Sequence, residues 1–118
     1  MVEVHLRALE TLLDEVVFRR DPDAALECRH FFSGAAAYAE GRIFMTLTTV
    51  GLALKLPETA RILLIEDGAK PLRYFPDGPV KKDYVVLPRR LAGDPQALGP
   101  WVEESIAFVM ALPKTKER

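Results

Sequence analysis

Apolar residues recur at three- and four-residue steps near the start of the chain: Leu6, Leu9, Leu13, Val16 and Val17, with Leu12 beside the stripe. That period predicts an amphipathic helix over residues 3–20. Glu3 and Glu10 lie toward its start and Arg19 and Arg20 at its end, which suits the helix dipole. Asp21-Pro22-Asp23 stops it, because Pro22 pushes Asp21 out of helical geometry. The period then drops to two. Leu26, Cys28, His30 and Phe32 alternate with Glu27, Arg29 and Phe31, as in a strand with one better-buried face.

Residues 31–57 are three short apolar runs separated by glycine-containing breaks, the pattern of a small antiparallel meander. Ser33-Gly34 makes the first break. Alanine favours helix, but 35–39 is too short to stand alone as one. Glu40-Gly41 follows as a two-residue hairpin turn, so 35–39 is expected to pair as a strand with 42–48. Thr49-Val50-Gly51 turns the chain again into a strand over 52–56.

Pro57 opens a short helix over 58–67, with Ala60, Leu63 and Leu64 as its inner face, Ile62 beside them, and Gly68 as its C-terminal cap. A connection with Pro71, Pro76, Asp77-Gly78 and Pro79 holds at most a brief edge strand over 72–75. Residues 83–87 form a strand ended by Pro88. Asp94-Pro95 caps a final helix over 95–111 with an apolar stripe of Leu98, Trp101, Val102, Ile106, Val109 and Met110. Pro113 ends it. Strands and helices that do not strictly alternate predict an α+β fold. We expect an antiparallel sheet of about five strands carrying an N-terminal helix, a short middle helix and a long C-terminal helix. One domain over 1–118 accounts for the length.

Composition narrows the function classes. The chain is 49% hydrophobic and 28% charged with a net charge of −1, an ordinary globular balance without a general pull toward nucleic acid or membrane. The charge is uneven: residues 1–59 hold six Lys and Arg against nine Asp and Glu, and residues 60–118 hold ten against eight. The basic excess gathers at Lys70, Arg73, Lys81, Lys82, Arg89 and Arg90. The single cysteine, Cys28, cannot form an internal disulfide, and neither a signal peptide nor a membrane span is visible, so the expected compartment is the cytoplasm.

Little catalytic chemistry is written in the sequence. Cys28 and His30 share a strand face, but no third or fourth Cys or His ligand accompanies them, so no metal or other cofactor is expected. Neither Ser33 nor Ser105 lies in a nucleophile turn, and no phosphate loop is present. The basic cluster flanks Tyr74, Phe75 and Tyr84, and bases interleaved with aromatics suit phosphate contact and stacking. Asp77 and Asp83 in the same stretch argue instead for a solvated loop whose aromatics turn inward.

Phe32-Ser33-Gly34 leading to Tyr38-Ala39-Glu40-Gly41-Arg42-Ile43-Phe44, then Leu52-Ala53-Leu54-Lys55-Leu56, then Asp83-Tyr84-Val85-Val86-Leu87-Pro88 and Asp94-Pro95-Gln96-Ala97-Leu98-Gly99-Pro100-Trp101, together resemble the N-terminal domain of the TfoX competence regulators and, more distantly, YjbR-like domains. The closing run from strand through Leu-Pro and Asp-Pro to Trp101 is the most specific part. The resemblance covers roughly residues 5–112 and implies an α+β domain without a catalytic centre. In the larger regulators it implies a role in switching on genes for DNA uptake. The family's Phe-Gly-Gly turn is here Phe32-Ser33-Gly34, and the expected form is a stand-alone domain without the second, helical one.

The leading expectation is therefore a non-enzymatic regulatory or interaction domain acting through a protein partner or nucleic acid, with Lys70, Arg73, Lys81, Lys82, Arg89 and Arg90 as the contact set. A second reading is a small-ligand domain or enzyme with a pocket between the sheet and the last helix, near Cys28, His30 and Tyr38. A third is a homodimer paired through 35–39 or an edge strand.

Overall fold

The computed structural model of the chain describes residues 2–16, 26–31, 34–73 and 77–112. The expected stop at Asp21-Pro22-Asp23, the Phe32-Ser33 turn, Tyr74, Phe75 and Pro113 lie outside them. The described elements run α1 (Val2–Val16), β1 (Leu26–Phe31), β2 (Gly34–Ala39), β3 (Arg42–Thr48), β4 (Gly51–Lys55), α2 (Glu58–Glu66), β5 (Lys70–Pro71), β6 (Tyr84–Val86), α3 (Arg89–Ala92) and α4 (Pro95–Met110). The fold is α+β, as the sequence predicts. Its sheet has six strands in the order β1-β2-β3-β4-β6-β5, all antiparallel, one more than expected because β5 is a two-residue edge strand. That strand sits at 70–71, and Leu72 and Arg73, the described part of the expected 72–75 strand, lie just past it.

The hairpin between β2 and β3 turns on Glu40 (φ 51°) and Gly41 (φ 79°). Two successive left-handed residues are what a two-residue turn needs to match strand twist. At Gly34 the requirement is space: a Cβ there would lie 2.2 Å from the Leu47 carbonyl oxygen, so any side chain would push β2 off β3. The register of β2 on β3 shifts after Ala37. Ala37 faces Met45 and Tyr38 faces Ile43, which leaves Phe44 as an extra residue. Such a bulge lets two neighbouring side chains turn to one side, and both Phe44 and Met45 are fully buried in the core.

Helices α1 and α4 pack against each other and on one face of the sheet. Leu9 and Leu13 of α1 and Leu98, Val102 and Val109 of α4 meet Ala35, Ala37 and Ala39 of β2 and Leu52 and Leu54 of β4. The small side chains of β2 let the helices sit close. Asp94 caps α4 as expected, its Oδ1 accepting from the Gln96 amide at 3.2 Å and the Ala97 amide at 3.4 Å. Ser105, a buried residue of α4, ties the helix to the sheet. Its hydroxyl donates to the Phe44 carbonyl (3.0 Å) and the Lys55 carbonyl (2.7 Å), one proton shared between two acceptors. The last paired residues of β3 and β4 are Met45 and Leu54, so the serine satisfies both strands just where their ladder ends.

Pairing places Arg29, Ala36, Thr46, Ala53 and Val86 in one row on the opposite face. Ala36 and Ala53 are buried there, outside the main core cluster. The Thr46 hydroxyl is also buried and has no hydrogen-bond partner among the described residues.

Candidate interaction surface

Helix α2 leaves the sheet at Leu56 and is held by one arginine. The Arg61 guanidinium donates from Nε to the Leu56 carbonyl at 2.9 Å and pairs with Asp83 Oδ1 at 3.3 Å. Asp83, at φ 74° just before β6, also accepts from the Leu56 amide through its carbonyl at 2.8 Å. This network ties the first turn of α2 to the start of β6. The far end is tied by Arg90 of α3, which pairs with the Asp67 carboxylate at 3.0 Å and also donates to its carbonyl.

Between those ties α2 buries only Ala60 and Leu64. Leu63, expected on the inner face, is 60% exposed, and Ile62 and Ile65 are 50% and 43% exposed. Four consecutive apolar residues span more than the inward half of a helix, so some of Ile62, Leu63, Leu64 and Ile65 must face out. Here α2 packs chiefly along β6, and the narrow contact takes Leu64 and leaves the other three. Residues four apart stack along one side of a helix, so Glu58, Ile62 and Glu66 form one line. Ile62 stands at its middle and an exposed carboxylate at each end. Neither Glu58 nor Glu66 has an ion-pair partner among the described residues.

The six expected basic contacts are spread around the β5–β6 edge, and all are exposed. Lys70 sits on β5 opposite Val86. Arg73 donates to the Gly78 carbonyl at 3.1 Å and closes the loop beyond β5. The Lys81 amide donates to the Leu72 carbonyl at 2.8 Å, and Lys82 follows in a turn. Arg89 and Arg90 lie on α3, a short helix that the sequence pattern does not predict. Arg90 is committed to Asp67. Tyr84, the described aromatic of the cluster, is half-buried with the Lys55 ammonium 5.9 Å from its ring centre.

Among the described residues, Cys28, His30 and Tyr38 are not brought together to line one pocket. His30 is exposed, and Tyr38 faces the side of the sheet opposite Ala37. Half-buried Cys28 instead borders a cleft of about 310 Å³ under α1, with Glu10, Leu13, Asp14, Leu26 and Glu27. No group of His, Cys, Asp and Glu among the described residues could hold a metal ion. On the open face Arg29 hydrogen-bonds Glu27 at 3.0 Å and lies 4.8 Å from the Tyr38 ring centre. That hydrogen bond and the guanidinium charge hold the Glu27 carboxyl below its usual range.

Strand β2 lies between β1 and β3, so 35–39 cannot pair its backbone across a two-fold axis; the described edges are β1 and β5. No helix among the described residues is long and apolar enough to cross a membrane.

An open antiparallel sheet with helices α1 and α4 on one face defines an α+β fold. Residues 20–109 match the TfoX N-terminal domain, and the chain belongs to that family. No curated protein matches it.

Proposed function

We propose that the chain is a non-enzymatic regulatory domain, of the kind that serves transcription and competence regulators, and that it works in the cytoplasm by docking a protein partner on α2. The observation that carries this reading is the outward face of α2, where Ile62, Leu63 and Ile65 stand together in solvent. Large apolar side chains grouped on one short helix are the pattern of a docking surface rather than of scattered exposure. Membership of the TfoX N-terminal family supports the regulatory class.

A second reading, contact with nucleic acid, is favoured by the exposed Lys70, Lys82 and Arg89 at the β5–β6 edge. Phosphate contact would give affinity that falls steeply with salt.

One complementation experiment separates the two. Loss of the chain from its own cell is expected to change the transcript profile. The Ile62→Lys/Leu63→Lys protein, shown to be folded, fails to restore it, whereas Lys70→Glu/Lys82→Glu/Arg89→Glu restores it. The reverse result assigns function to the basic edge. Restoration by both variants contradicts both surfaces.

A further inference from the structure

The charges around the α2 face select its partner, and we infer that the face takes an apolar segment of another protein, flanked on both sides by lysine or arginine. This rests on the docking role of α2 proposed above. Glu58, Ile62 and Glu66 lie on one line at four-residue steps, so the apolar centre is bracketed by two exposed carboxylates. Neither has an ion-pair partner among the described residues. Closing the face with an apolar segment removes water from both, and a carboxylate losing water without a partner is costly. A segment with bases on either side of its apolar anchor supplies those partners.

A second copy of this chain does not fit the same face. A two-fold axis across α2 sets Glu58 against the other copy's Glu66 in the antiparallel arrangement. It sets each carboxylate against its own equivalent in the parallel one. Like charges meet either way, around a small apolar contact. An anionic membrane surface is disfavoured by the same two carboxylates. Arg61 and Asp67, the other charges at α2, are already held by Asp83 and Arg90, so they do not compensate.

The test uses the full chain and two synthetic helical peptides with leucines at i, i+3, i+4 and i+7. One carries lysine four residues either side of the central leucine, and the other carries glutamate there. Binding is followed by amide NMR shifts at low salt and in about 0.5 M salt, where surface charges are screened. The lysine peptide is expected to shift α2 resonances and to bind roughly fivefold tighter than the glutamate peptide, two exposed ion pairs being worth about that much. The preference should vanish in high salt and invert in Glu58→Lys/Glu66→Lys. Equal binding of both peptides at α2 would overturn the basic-partner inference and leave the docking role standing. Shifts confined to other elements, or no binding, would overturn both. Sedimentation of the chain alone at twice its monomer mass, lost in Ile62→Lys, would assign the face to a second copy instead.

Discussion

Helices α4 and α2 are both rich in apolar residues, yet they use them in opposite ways. α4 lies along the middle of the sheet and buries Leu98, Val102, Ser105 and Val109 against β2, β3, β4 and α1. α2 touches the sheet at β6, buries Ala60 and Leu64, and turns Ile62, Leu63 and Ile65 outward. Apolar content alone does not say what a helix is for. The width of the surface offered to it decides which side chains the fold consumes and which remain for a partner.

The difference is largest in leucines. Leu98→Ala should destabilise the fold by about 2–5 kcal/mol, since it opens a cavity in the core, whereas Leu63→Ala should stay within about 0.5 kcal/mol. Urea unfolding of both variants checks the contrast, and equal losses would break it. Two of the buried hydroxyl residues, Ser105 and Thr46, sharpen it next. Ser105→Ala strips two strand-end carbonyls of their shared donor and should cost about 1–3 kcal/mol. Thr46→Val removes a buried hydroxyl without a described partner and should raise stability by about 1 kcal/mol. A loss at Thr46 would show that its hydroxyl is satisfied.

Much of the α4 side is legible in the sequence. A stripe long enough to define one helical face, an aspartate cap and glycine-marked turns each admit one local solution. The side of α2 is not. With Ile62 to Ile65 all apolar, periodicity cannot choose an inner face. Spacing from Ala60 admits both Leu63 and Leu64 as inner residues, and the reach of β6 makes the choice, taking Leu64 and turning Leu63 out. The bulge at Phe44 escapes for a similar reason, because an apolar run hides a missed alternation. Arg90 looks from the sequence like a nucleic-acid contact. Only the turn of α3 after Pro88 brings it to Asp67, a pairing 23 residues apart in the chain.

Smaller effects test how α2 is held. Arg90→Ala breaks an exposed pair and should cost less than about 1 kcal/mol, with the difference erased by salt. A larger loss would mean that α2 depends on this tie rather than on Arg61 and Asp83. The smallest effect lies on the open face. The Glu27 carboxyl is held below its usual range by Arg29, so its contribution is present above the ordinary glutamate pKa and is lost as the pH falls through the depressed value. Side-chain carboxyl NMR should show the Glu27 titration move upward in Arg29→Ala. An unchanged titration would remove the pair as its cause.

The division between the two helices is tested most directly by equilibrium urea unfolding of Ile62→Lys/Leu63→Lys/Ile65→Lys. A stability within about 1 kcal/mol of the parent is expected, since the ammonium introduced at position 62 would gain Glu58 and Glu66 as helix neighbours and lysine stems cover apolar surface. A loss above about 3 kcal/mol, the scale of core truncation, would place these residues in the fold's own packing and contradict their role as a docking face.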